Sequence, residues 1–167
     1  MLKPILFIVF IIGSLSCRSN EYQQSETPIS KKINTIKYTD STLKTGWYFI
    51  ILNENCYKRK LDKDSIYYCI DPRPLITPKN IKTIKINYEK NKAPSFLMKF
   101  DDEGTKIWKY ATERAVYNKL AFILDDKLLY APTVVSQIIN GIALLNRGTY
   151  SKEELENFKK VIEREMN

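Results

Sequence analysis

Residues 100–132 read FDDEGTKIWKYATERAVYNKLAFILDDKLLYAP, and they decide the fold because they predict a helix followed at once by a hairpin. Either Asp101 or Asp102 can begin the helix, since a carboxylate at the N-cap accepts a hydrogen bond from a free backbone amide. The helix is predicted to run to about Asn118, and its apolar residues recur at helical spacing, which indicates one buried face. The residues of that face are Ile107, Trp108, Ala111 and Ala115.

Two apolar runs, Leu120–Leu124 and Lys127–Tyr130, predict the hairpin, with Asp125-Asp126 as its turn. Further strands are predicted where aromatic and β-branched residues cluster or alternate with lysine. They are Trp47–Leu52, Ser65–Ile70, Asn80–Tyr88 (a half-buried strand, or a helical turn leading into one) and Phe96–Phe100.

A second helix is predicted near the end of the sequence. Ser151 and Glu154 have the spacing of a capping box, which satisfies two backbone amides at a helix start. Leu155, Phe158 and Ile162 then form its buried stripe. Strands separated by two helices fit an α+β domain.

The same stretch resembles the head subdomain of the first periplasmic domain (P1) of SecDF, a membrane protein that assists secretion. The resemblance covers roughly residues 69–165 and rests on an ordered set of short matches. They are Leu75-Ile76-Thr77, Ile81, Phe100-Asp101, Glu103-Gly104, Thr112, Leu120-Ala121, Leu124-Asp125, Lys127, Ala131-Pro132, Gly141, Ala143, Gly148, Tyr150-Ser151 and Glu154. It implies a small antiparallel sheet with two helices packed on it.

Two positions depart from the family pattern. Asp126 stands where the family prefers glycine in the turn, and aspartate adopts a positive φ less easily than glycine. One extra residue lies between Leu145 and Gly148. Both departures concern the shape of loops.

The first 16 residues have the pattern of a secretory signal peptide. Lys3 supplies the positive charge, Ile5–Ile12 is an unbroken apolar run, and small residues precede Cys17. The stretch resembles a lipobox, although Ser14 occupies the position that usually carries leucine. That resemblance implies a lipoprotein signal peptide of residues 1–16, a diacylglycerol thioether on Cys17 and an acylated, palmitate-bearing amino terminus. Plain secretion and an uncleaved anchor are the alternatives.

Residues 17–42 are predicted to be a lipid-anchored flexible tether, because this stretch is polar and has no sustained apolar period. Residues 43–167 are then the folded domain. No apolar run after Cys17 reaches the length of a membrane span. The expected location is the cell envelope, at the outer membrane or the cell surface.

Charge and composition limit the kinds of partner and of site that the chain is expected to have. The net charge is +8, and removal of residues 1–16 takes away one lysine only, so the mature chain favours anionic partners. Export argues against nucleic acid as a partner. The sequence has no histidine, the commonest general base and metal ligand. We therefore predict no catalytic site, no metal site and no cofactor.

Cys56 and Cys69 are predicted to form a disulfide, since export permits oxidation. A hairpin centred on Asp62-Lys63 would place the two cysteines directly opposite each other, within disulfide reach. The alternative is a pair of buried thiols.

The lysine-rich stretch from Lys79 to Lys92 alternates with apolar residues. A solvated strand face explains this pattern, and a surface that binds acidic partners is the functional alternative. Its residues are Lys79, Lys82, Lys85 and Lys92. The acidic pairs 101–102 and 125–126 are explained by a helix cap and a turn.

The favoured function is a non-catalytic module that binds an envelope protein or an unfolded polypeptide, in a role accessory to protein export. Adhesion to anionic lipid or envelope polymer is one alternative, and an enzyme of unrecognised type is another.

Overall fold

The computed structural model describes residues 41–53, 55–88, 93–146 and 148–167. Residues 1–40, with the predicted signal peptide, Cys17 and most of the tether, lie outside the described residues, as does Lys92. The elements within the described ranges are β1 (Gly46–Phe49), β2 (Tyr57–Lys60), β3 (Tyr67–Ile70), β4 (Ile81–Asn87), β5 (Ser95–Phe100), α1 (Asp102–Arg114), β6 (Leu120–Leu124), β7 (Lys127–Tyr130), β8 (Ile142–Leu145) and α2 (Lys152–Glu165). No helix in these ranges is long and apolar enough to cross a bilayer.

A three-stranded antiparallel sheet in the order β1-β6-β7 lies at the centre. Successive side chains of a strand point to opposite faces, so each strand serves two cores. Trp47 and Phe122 pack on one face of this sheet, whereas Tyr48 and Ile123 pack on the other.

The larger core lies on the Trp47 side. A second antiparallel sheet, in the order β4-β5-β8, packs there together with both helices. The rings of Trp47 and Trp108 are 4.8 Å apart between centroids, and Phe122 lies 5.2 Å from Trp47. The aromatic contacts therefore join α1 to the central sheet.

The smaller core lies on the Tyr48 side, beneath the β2–β3 hairpin. Leu61 and Ile70 of this hairpin region pack with Ile123 and Leu128 of the central sheet. The chain just after β3 also bonds to the end of β1, because the Asp71 amide donates to the Phe49 carbonyl at 3.0 Å. The module thus has the hairpin on one side of the central sheet and the helices on the other.

The predicted α+β class, with antiparallel strands and two helices, is confirmed. The described strands form three small antiparallel sheets instead of one. The helix stripes and the Ser151–Glu154 capping box are also confirmed, since Trp108, Ala111, Leu155 and Ile162 are buried and both capping bonds form.

The predicted end of the first helix was wrong, because α1 ends at Arg114 and not near Asn118. Tyr117 has a positive φ of 62°, and its amide donates to the Val134 carbonyl at 2.7 Å. The chain therefore leaves the helix to pair with the segment that follows the β6–β7 hairpin.

The predicted register of the β2–β3 hairpin was wrong by two residues. Lys58, not Cys56, lies opposite Cys69, because the loop holds four residues and the Leu61 amide donates to the Ile66 carbonyl. The structure nevertheless joins Cys56 to Cys69 as a disulfide, with Cα atoms 5.1 Å apart. The bond links diagonal neighbours instead of an opposed pair.

Candidate binding surfaces

The predicted lysine surface lies along one edge of the β4-β5-β8 sheet. Lys79 is exposed in a 3₁₀ turn that leads into β4, and Lys82 and Lys85 are exposed on β4 itself. The intervening Ile81 and Ile84 are buried, which is the alternation expected of a half-buried strand. None of these three lysines forms an ion pair with an acid in the described ranges.

On the open face of this sheet, the side chains change from basic on β4 to apolar on β8. Thr83 pairs with Lys99, and Lys85 pairs with Leu97. Leu97 in turn pairs with Leu144 of β8, whose side chain is exposed. This row could not be recognised from the sequence, because its members come from three separate segments.

The backbone of β4 has an open edge among the described residues. β4 pairs with β5 alone, and no main-chain bond joins Lys82–Tyr88 to any other element there. An edge strand presents unpaired amides and carbonyls, and lysines on it commonly prevent unwanted pairing. The unpaired amides and carbonyls can also bind an added strand, and acidic side chains on that strand would meet the lysines.

A second charged cluster lies where the predicted tether joins the domain. The Asp126 carboxylate accepts from the Leu43 amide at 2.7 Å and from the Arg59 guanidinium. Arg59 also donates to the Ser41 carbonyl at 2.8 Å. We call this arrangement of Ser41, Leu43, Arg59 and Asp126 the clasp. Ser41, predicted as tether, therefore contacts the folded domain.

The clasp explains the departure from glycine at the β6–β7 turn. Asp125 and Asp126 both adopt positive φ, at 47° and 65°. The turn role was predicted, but no local pattern could reveal a partner 67 residues away. Burial, with the nearby Asp126 charge, raises the pKa of Tyr48 to about 12, and its hydroxyl donates to the Lys44 carbonyl.

Asp126→Asn is expected to lower the free energy of unfolding by about 1–2 kcal/mol, because hydrogen bonds to a charged group are stronger than those between neutral groups. The loss is not larger, since partial exposure of Asp126 weakens these bonds. Asparagine tolerates the same positive φ, so the turn itself is kept. Asp125→Asn is the matched control, since that side chain is exposed, and it should change stability by less than about 0.5 kcal/mol. Urea unfolding measures both, and equal effects would contradict the clasp.

A third cluster holds the β2–β3 loop against the start of α2. The Lys63 ammonium donates to the Glu154 carboxylate and, at 3.1 Å, to the Thr149 carbonyl. The hydrogen bond from Lys63, together with that from the Ser151 amide, lowers the pKa of Glu154. The hairpin is thereby fixed at its loop as well as at Arg59.

An apolar cavity of about 30 Å³ lies between the two larger sheets and α2. Residues such as Phe96, Phe122, Leu155 and Phe158 line it. A volume of this size holds at most one water, and an apolar lining offers that water few partners. We therefore assign no ligand to this cavity.

The acidic residues 101 and 102 have the predicted helix role. The Asp101 carboxylate accepts from the Gly104 amide at 2.7 Å, and Asp102 is exposed in the first turn of α1. Within the described ranges, no three residues among His, Cys, Asp and Glu are grouped so that they could hold a metal ion.

Comparison with protein families gives a match to a family described as SecDF, P1 head subdomain, over residues 53–164. Protein translocase subunit SecD of Rhodobacter capsulatus is 25% identical over 93 residues, which cover 56% of this chain and 17% of that protein. SecD of Endomicrobium trichonymphae is 23% identical over 134 residues, which cover 80% of this chain and 26% of that protein. The chain therefore spans only about a sixth to a quarter of the length of these relatives (17% and 26%).

Solved SecDF structures share the fold. A crystal structure of SecDF in the Super-membrane-facing form superposes with a TM-score of 0.55 at 20% identity, over 72% of this chain and 19% of that one. A structure of SecDF, described as a membrane component that enhances protein export, gives a TM-score of 0.55 at 18% identity. The superposition covers 76% of this chain and 64% of that one.

Proposed function

The chain belongs to the family of SecDF P1 head subdomains, and from that premise we propose that it is a cell-envelope lipoprotein whose head-like module binds polypeptides without catalysing a reaction. The partner is an unfolded chain or an envelope protein. The observation that carries this proposal is the edge of β4 that faces away from β5, which pairs with no other strand in the described ranges and carries lysines that have no acidic partner there.

The β4 edge suits an extended polypeptide for two reasons. Its free amides and carbonyls can extend the β4-β5-β8 sheet by one strand, which gives affinity without a particular sequence. Lys82 and Lys85 would then meet acidic side chains of the added strand, and such charge pairing sets orientation and speeds encounter.

A lipid at Cys17 and a flexible tether would hold the module near a membrane. Tethering raises the local concentration of the module for partners at that surface. SecDF is described as a membrane component that enhances protein export. We propose a role accessory to export for this chain, in which the module contacts polypeptides at the membrane.

The proposal favours binding over catalysis because the sequence has no histidine. The acidic side chains at the helix start and at the β6–β7 turn already serve as a cap, a turn and the clasp. No cofactor is required for a module that acts by contact alone.

A photo-crosslinking residue at Lys85 in the full chain is expected to capture a polypeptide in the cell envelope. The same probe at Lys106, an exposed lysine of α1, is the control. Lys82→Glu together with Lys85→Glu should abolish capture by a probe at Lys99, because both charges that attract an acidic strand are reversed. The matched control is Lys106→Glu together with Lys109→Glu, which should leave capture by that probe unchanged.

Capture no higher at Lys85 and Lys99 than at Lys106 would remove the binding proposal. Equal loss of capture in both pairs of charge reversals would show that net charge alone attracts the partner. The β4 edge would then have no special part in binding.

A further inference from the structure

The outer face of the β2–β3 hairpin carries exposed basic and aromatic side chains. Lys58, Lys60 and Tyr67 are exposed there, and the Lys58 ammonium lies 5.3 Å from the centre of the Tyr67 ring. In the register of the hairpin, Lys60 pairs directly with Tyr67, so basic and aromatic side chains share one face.

Two ion pairs attach this hairpin to the rest of the module. Arg59 binds Asp126 from the inner face of β2, and Lys63 binds Glu154 from the loop. The Cys56–Cys69 disulfide closes the open end of the hairpin. The hairpin is therefore attached so that its outer side chains face away from the central sheet.

The chain outside the described residues reaches the domain beside this hairpin. Ser41, the first described residue, is bonded to Arg59, which lies between Lys58 and Lys60 in β2. Lys44 and Lys127 are also exposed and directly follow the clasp residues Leu43 and Asp126. Asp125 and Glu165 are exposed acids next to the clasp, and the Glu165 carboxylate accepts from the Thr45 hydroxyl. With Lys58 and Lys60 of the hairpin, the exposed lysines around the junction outnumber these two acids.

We propose that the outer face of the β2–β3 hairpin lies on the anionic headgroups of the membrane that holds the lipid anchor. Lysines near such a surface are attracted to anionic lipid, and tyrosine suits the interface because its ring is apolar and its hydroxyl polar. The proposal rests on the proposed anchor at Cys17, because the tether brings this face to the membrane.

The contact would orient the whole module. The helices and the β4-β5-β8 sheet lie on the other side of the central sheet from the hairpin. A module resting on its hairpin therefore holds the β4-β5-β8 sheet on the side away from the bilayer, where a polypeptide outside the membrane can reach it. The two surfaces do not compete.

Lipid crosslinking tests the contact. The full lipidated chain, with p-benzoylphenylalanine at Tyr67, is reconstituted into vesicles of phosphatidylethanolamine and phosphatidylglycerol, and lipid adducts are detected by mass spectrometry. Tyr110 on α1 is the matched control, since it is 53% exposed against 57% for Tyr67. We expect adducts at Tyr67 but not at Tyr110. Lys58→Gln together with Lys60→Gln should reduce adducts at least about tenfold, as should vesicles of phosphatidylcholine alone.

Each other outcome overturns the proposal. Equal adduct yields at Tyr67 and Tyr110, in protein that floats with the vesicles, would leave the anchor intact and exclude the hairpin contact. Capture of a second copy of the chain at Tyr67 would identify a self-association surface instead. Protein that does not float would overturn the anchor, and with it the hairpin proposal.

Discussion

Cys17→Ala is expected to abolish membrane attachment through lipid, because no other side chain at the cleavage site can form the thioether. The wild-type protein should partition into the detergent phase and incorporate labelled palmitate. The variant should incorporate none, and it should accumulate as a precursor or appear in the soluble fraction. The effect is all-or-none, since one covalent group supplies the whole anchor.

Ser14→Leu provides the matched control for this experiment. It restores the residue that lipoboxes usually carry three positions before the cysteine, so processing should be at least as fast as in the wild type. Normal palmitate incorporation and normal processing of Cys17→Ala would contradict the lipoprotein assignment. Residues 14 and 17 lie outside the described residues, so this experiment is the direct test of both.

Local patterns predicted the elements whose cause is itself local. The hairpin strands β6 and β7 have the predicted bounds, because two apolar runs flank a turn of two residues. The capping box of α2 was predictable for the same reason, since both of its bonds join residues three positions apart. Patterns of this kind can be recognised without knowledge of the tertiary contacts, and here the local preference agrees with the fold.

Contacts between distant segments were not predicted from the sequence. Tyr57–Lys60 reads YKRK and forms β2 because it pairs with β3 and borders the smaller core. The clasp joins residues 41, 43, 59 and 126, and an aspartate at a turn gives no sign of such partners. The division into three sheets likewise depends on how distant strands meet, not on any one of them.

The candidate binding surface was predictable only in part. The lysines of β4 were recognised from their alternation with isoleucine, but the apolar end of the row depends on β8. Ile142–Leu145 is a short apolar run, and its pattern alone does not distinguish a strand from a buried helical turn.

Removal of the disulfide is expected to lower the free energy of unfolding by roughly 3 kcal/mol in the chain-entropy model. Cys56→Ser together with Cys69→Ser removes a cross-link between positions 13 residues apart, so the unfolded chain gains freedom. Urea unfolding of the double variant measures the loss. Wild-type protein treated with reductant should unfold at the same urea concentration as the variant.

The loss should also be local, because the disulfide closes the hairpin at the end opposite the Lys63–Glu154 contact. Trypsin should therefore cut the double variant first at Lys58, Arg59 or Lys60, while the larger core beyond the central sheet stays protected. Alkylation without reductant shows whether the bond exists in the native protein. Addition of two alkyl groups to wild-type protein from its native, oxidising compartment would refute it. The stability difference would then have to come from the serine substitutions themselves.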